Sequence, residues 1–85
     1  MASPNVKTVE VLFFGATADA AGRRSETISI DDSADLGTAV NDLVARYPSL
    51  ANHRLLTAVN EEYADSDTTL KDGDEIAIFT AVSGG

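Results

Sequence analysis

Asp35-Leu36-Gly37-Thr38-Ala39-Val40-Asn41-Asp42-Leu43-Val44-Ala45-Arg46-Tyr47-Pro48 is the stretch on which the fold turns. Leu36, Ala39, Val40, Leu43, Val44 and Tyr47 recur at spacings of three and four, which is one apolar stripe of an amphipathic helix. Asp31, Asp32, Ser33 and Asp35 offer oxygens to the free N–H groups of its first turn, and negative charge to the positive end of its dipole. Pro48 ends it, because the residue before a proline avoids helical backbone angles. A helix with one apolar stripe needs one apolar surface to cover.

The flanks supply that surface. Lys7 to Phe14 is rich in β-branched and aromatic residues and reads as a strand, stopped by Gly15. Ala16 to Ala21 reads as one or two helical turns closed by Gly22, and Glu26 to Ile30 as a second strand whose apolar face is Ile28 and Ile30. Beyond the helix, Ser49 to Arg54 reads as a loop or single turn and Leu55 to Asn60 as a third strand. Glu61 and Glu62 read as a turn, and Tyr63 with Ala64 as a short edge piece. Asp65 to Thr69 is polar loop. Leu70, apolar among polar neighbours, is expected to plug the core. Lys71-Asp72-Gly73-Asp74 is a turn, with glycine for a positive φ and aspartate for its own backbone. Glu75 to Val82 is the last strand. Met1 to Asn5 is expected to fray, and 83–85 to form a flexible Gly-Gly tail. This order predicts an α+β ubiquitin-like β-grasp over residues 1–85. The sheet is mixed, with four to five strands, one main helix across one face, and the first and last strands adjacent at its centre.

Composition narrows the function. Fourteen Asp and Glu against six Lys and Arg leave a formal charge of -8 on 85 residues, which repels phosphate backbones and argues against nucleic acid. Nine of the acids are Asp and only two of the bases are Lys. That pattern suits a salt-rich cytoplasm, an ordinary acidic protein, or a basic partner. The absence of Cys removes disulfides, thiolate metal sites and thiol nucleophiles. The longest apolar run near the start, Val11 to Ala16, is too short for a membrane span or a signal-peptide core, so the expected location is the cytoplasm.

The body of the chain carries no catalytic pattern. Ser25, Ser33 and Ser66 have no His or Lys in a recognisable arrangement, and His53, the single histidine, reads as a surface residue. Asp65, Asp67, Asp72, Asp74 and Glu75 lack the spacing of a calcium loop and read as loop and turn chemistry. Alternation does single out one surface. Val9, Val11 and Phe13 point one way from the first strand; Thr8, Glu10, Leu12 and Phe14 point the other. In the last strand Ile76 and Ile78 face the core, and Glu75, Ala77 and Phe79 face outward. Phe14 and Phe79 therefore share the uncovered sheet face, with Leu12 and Tyr63 as expected neighbours. Such a patch marks a partner.

The last residues carry the chemistry. Gly84 and Gly85 have no Cβ, so they fit a slot too narrow for other residues, and Val82 to Gly85 extend about 13 Å at ~3.3 Å per residue. A carboxylate at Gly85 can thereby enter another protein's active site. Joined to AMP by ATP it becomes a mixed anhydride, open to sulfur or an amine.

Val11-Leu12-Phe13-Phe14-Gly15, Leu55-Leu56-Thr57-Ala58-Val59-Asn60, Leu70 to Phe79 and Val82-Ser83-Gly84-Gly85, in that order, resemble the small, sulfur-carrying subunit of molybdopterin synthase, the MoaD family. The resemblance covers nearly the whole chain. It implies that a MoeB-like activating enzyme uses ATP to adenylate Gly85, and that sulfur from a cysteine desulfurase or rhodanese makes a thiocarboxylate there. The large synthase subunit then takes that sulfur for the dithiolene of the molybdenum cofactor. It implies a heterotetramer of two large and two small subunits, no bound cofactor or metal, and no catalysis by the small subunit alone. Gly84 corresponds to the slot-fitting residue. Phe14, Tyr63 and Phe79 correspond to the contact surface for both partners, Tyr63 standing where the family commonly has an aliphatic residue. Thr80 and Ala81 stand where the family often has two prolines, so the tail is expected either to keep strand character longer or to sample more conformations. The alternatives are a ubiquitin-like modifier joined to lysines through Gly85, a sulfur carrier for thiamine, tRNA or cysteine synthesis, and a β-grasp binding domain whose Gly-Gly end is incidental.

Overall fold

The computed structural model describes residues 5–80; the ends expected for 1–4 and 81–85 lie outside the described residues. Five strands form one sheet in the order β2-β1-β5-β3-β4. They are β1 (Val6–Phe13), β2 (Ser25–Asp31), β3 (Leu55–Val59), β4 (Glu62–Tyr63) and β5 (Glu75–Thr80), with helices α1 (Ala16–Ala21) and α2 (Leu36–Arg46). β1 pairs antiparallel with β2 and parallel with β5, so first and last strands are neighbours at the centre, as the sequence predicts. The fold is the ubiquitin-like β-grasp.

Each boundary has a local cause. Gly22 closes α1 with φ 74°, donating its N–H to Ala18 O at 2.8 Å. Asp35 caps α2, accepting the Thr38 N–H at 2.9 Å, and Pro48 turns the chain into a short 3-10 segment, Pro48–Asn52. Gly73 (φ 88°) shapes the turn before β5, where Asp74 accepts the Lys71 N–H at 2.8 Å. One turn moves by a residue. Asn60 and Glu61, not Glu61 and Glu62, take the left-handed angles, and the edge strand is Glu62–Tyr63 rather than Tyr63-Ala64. Asn60 tolerates that conformation and ties itself to β5, with its N–H on Glu75 O (2.8 Å) and its Oδ1 accepting the Glu75 N–H (3.1 Å).

The core lies between the sheet and α2. Val9, Val11, Phe13, Ile28, Ile30, Ile76 and Ile78 from the strands meet Leu36, Ala39 and Leu43 from α2, and Leu70 plugs one side as expected. Leu50 of the 3-10 segment is fully buried as well. Among the described residues no helix is long and apolar enough to cross a membrane.

Lys7 shares the inward phase of β1 with Val9 and Val11, and it is 3% exposed. Its ammonium donates to Asp32 O at 2.7 Å and Leu70 O at 2.6 Å, tying the end of β2 and the Leu70 loop to the central strand. Lys7→Ala removes both charge-assisted bonds and leaves two carbonyls short of a donor. A loss of about 2–4 kcal/mol is expected in urea unfolding, against less than about 0.5 kcal/mol for exposed Lys71→Ala.

Stability should also fall in acid. The Ser33 hydroxyl and N–H hold Asp31 below the usual carboxylate range, and the Thr38 N–H and hydroxyl do the same for Asp35. For Asp74 partial burial pushes upward, but the Lys71 N–H, the Asn60 amide and the charges of Lys71 and Lys7 outweigh it. A carboxyl with a lowered native pKa stabilises the fold fully above its unfolded-state pKa. That contribution is lost as pH falls through the native value. Thermal midpoints should therefore hold level through neutral pH and drop as pH falls below about 4.

Candidate docking face

Pairing register assembles one apolar area on the sheet face that α2 leaves uncovered. Leu12 lies opposite Ala77, Phe79 opposite Leu56, and Ala58 opposite both Ala77 and Tyr63. The other end of the same face holds Thr8, Glu10, Glu75, Thr27 and Ser29. The apolar half is thus the end at which β5 reaches Thr80, from which the chain continues toward Gly84 and Gly85.

Phe14, 50% exposed, extends this surface one residue past β1, its N–H reaching Ile78 O at 3.1 Å. Tyr63 is 77% exposed, and its ring lies 5.8 Å from that of half-buried Phe79, tilted 58°. All three aromatic residues expected on the open face are there. Tyr63 shields one side of Phe79 from a two-residue edge strand, and Phe14 stands just past the end of β1, the neighbour of β5 on its other side.

A residue that sequence reading passed over positions Phe14. Thr17 is fully buried, and its Oγ1 lies 2.7 Å from Ile78 O, 2.8 Å from Phe14 O and 2.9 Å from Phe14 N. One hydroxyl thereby joins α1, the end of β1 and β5. Its signal was the four-residue spacing to Ala21, which places both on the inward face of α1.

His53 is exposed, and among the described residues no three His, Cys, Asp or Glu gather as metal ligands would. Gly84 and Gly85 lie outside the described residues.

A β-grasp domain with an open aromatic face beside the strand that leads into Gly-Gly defines the class of ubiquitin-like carriers. Residues 11–85 match the ThiS family, and the molybdopterin synthase sulfur carrier subunit of Mycobacterium tuberculosis is 39% identical over 80 residues, spanning 91% of this chain and 96% of that protein. The chain belongs to the ThiS family, among the molybdopterin synthase sulfur carrier subunits. Two solved structures are similar. SAMP1 from Haloferax volcanii, a small archaeal modifier protein, superposes with a TM-score of 0.82 at 30% identity, covering 92% of this chain and 99% of that one. The complex of subunits 1 and 2 of the molybdopterin-converting factor from Helicobacter pylori includes a chain with a TM-score of 0.65 at 28% identity, again covering 92% and 99%.

Proposed function

We propose that this chain is the sulfur carrier of a cytoplasmic molybdopterin synthase and that Gly85 bears the sulfur. The observation that carries the reading is 39% identity across 91% of the chain to a protein named for that role. In this reading the Gly85 carboxylate attacks the α-phosphate of ATP on an activating enzyme and releases pyrophosphate. The outer sulfur of a donor persulfide then displaces AMP to give an acyl disulfide, and a thiol of the sulfur-relay proteins breaks its S–S bond, ending as a disulfide and leaving a thiocarboxylate. The large subunit binds the open aromatic face, and the Gly84-Gly85 segment presents the thiocarboxylate to the pterin precursor. The thiocarboxylate sulfur bonds to the precursor, water cleaves the resulting acyl–sulfur bond, and the carboxylate returns for another round, since each dithiolene takes two sulfurs. The protein itself holds no cofactor; ATP belongs to the activating enzyme. What supports a large-subunit partner is the Helicobacter pylori complex of two converting-factor subunits, one of them similar to this chain. In the full synthase two large and two small subunits assemble.

The similarity to an archaeal modifier protein favours one further reading, attachment of Gly85 to lysine amines. Complementation separates the two. In cells lacking their own small subunit but keeping the large one, this chain is expected to restore molybdoenzyme activity. No restoration, with Gly85 recovered on cellular lysines, would replace the first reading by the second.

A further inference from the structure

We propose that Thr17 is a positioning residue for docking: its buried hydroxyl fixes Phe14 in place beside Phe79, so that the large subunit meets the two rings at a set spacing. The inference rests on the carrier reading. It assigns a binding role to a side chain that is fully buried and so touches no partner itself.

The β1–β5 pairing runs from Glu10 and Glu75 to Phe13 and Ile78. Phe14 and Phe79 come one residue later on each chain segment, past the last register pair of these two strands. The chain then turns at Gly15 (φ 59°) into α1, which brings Thr17 back to the end of β1. Thr17 Oγ1 accepts the Phe14 N–H at 2.9 Å. Its single proton goes to Ile78 O at 2.7 Å or to Phe14 O at 2.8 Å. The Ile78 carbonyl belongs to the peptide unit that leads into Phe79. One hydroxyl thus holds the backbone on both sides of Phe14 and the group directly before Phe79.

Folding alone does not call for a hydroxyl here. Phe14 O also accepts the Thr17 N–H at 3.2 Å, and Ile78 O also accepts the Phe14 N–H at 3.1 Å. Each of these backbone groups therefore has a partner without Oγ1. Ala21, the other buried residue of α1, is apolar. Valine has nearly the shape of threonine and would fill the site with no polar group to desolvate. What the hydroxyl adds is direction, at a ring that is 50% exposed and stands where the β1–β5 ladder has stopped. Phe79 needs no such help, because β5 is paired with β3 at Leu56 and the Tyr63 ring lies beside it. A ring held in its bound position beforehand spares the complex the cost of ordering it.

The test is titration calorimetry of the full chain against its purified large subunit, run as a double-mutant cycle. Thr17→Val is expected to raise Kd about 3- to 10-fold, the cost of ordering one loosened side chain on binding. In a Phe14→Ala background the same substitution should change Kd by less than about twofold, because the ring it positions is gone. Thr17→Ser keeps the hydroxyl and should bind within about twofold of wild type. Circular dichroism melts set a temperature at which each variant is folded. An unchanged Kd for folded Thr17→Val overturns the proposal. So does an equal loss with and without the Phe14 ring, which is the mark of a residue that only supports the fold. Hydrogen exchange of the free wild-type chain tests the clamp without any variant. The Phe14 amide should be protected, and exchange there as fast as in an unstructured peptide overturns the proposal. A wild-type chain that does not bind the large subunit overturns the carrier reading itself, and this docking role with it.

Discussion

Deleting Gly84 and Gly85 is expected to abolish sulfur transfer, by more than about a thousandfold in a reconstituted synthase assay, while the thermal midpoint stays within about 2 °C of wild type. The size of the effect follows from the division of labour in the chain. There is no cysteine to carry sulfur in place of Gly85. The serines and the single histidine form no nucleophile–base pair that sequence reading could find. The described side chains gather an apolar face and no set of catalytic groups. The reacting group is then a terminal carboxylate; the deletion leaves one on Ser83, about 7 Å short at ~3.3 Å per residue and without the glycines that fit the slot, so it does not reach the reacting centre. Stability follows a different part of the molecule. Among the described residues, the pairing of β5 with β3 reaches from Val59 and Ile76 to Leu55 and Thr80, and the core cluster is built without Gly84 or Gly85. Gly84→Ala is the graded version: one methyl group in a slot shaped for glycine should cost about 10- to 100-fold in transfer and leave folding alone. A deletion variant with full activity would remove Gly85 from the mechanism.

Phe79→Arg is expected to weaken binding to the large subunit by about 30- to 1000-fold, the range of a central aromatic anchor worth some 2–4 kcal/mol. Phe79 has the position for it. It lies on the outward phase of β5 next to the core strand β1, flanked by Leu56 and by the Tyr63 ring. The substitution puts a guanidinium into the apolar patch, where desolvating it costs binding energy that no new contact repays. The fold should lose only about 1 kcal/mol, because Phe79 is not among the residues of the core cluster. Tyr63→Ala should have the smaller effect on affinity, since at 77% exposure the ring sits at the rim rather than the centre. Titration calorimetry of both variants, with melts as controls, gives the comparison. Equal losses for Phe79→Arg and Tyr63→Ala would shift the centre of the interface toward the edge strand.

Periodicity made most of this architecture legible before any coordinates. The α2 stripe named its covered surface, the alternation in β1 and β5 sorted core from open face, and Leu70 stood out as an isolated apolar residue. That one alternation also put Phe14 and Phe79 together outside. What escaped reading were residues whose role depends on groups distant in sequence. Lys7 sits in the inward phase of β1, but its acceptors are backbone carbonyls 25 and 63 residues away, which no local pattern displays. Thr17 looked like one polar residue in an Ala-rich turn, and its value comes from Ile78 O, 61 residues on. Asn60 moved the β3–β4 turn by one residue because it accepts left-handed angles and bonds to β5.

The central claim concerns the chemical state of Gly85. The direct measurement is mass spectrometry of the untagged chain, taken from cells actively making molybdenum cofactor and alkylated at once. Alkylation is needed because exchanging oxygen for sulfur shifts the mass almost as much as oxidising Met1. An alkylated thiocarboxylate at Gly85 is the predicted result. A plain carboxylate under conditions that preserve an added thiocarboxylate standard, or Gly85 joined to lysine with no thiocarboxylate beside it, would contradict the account.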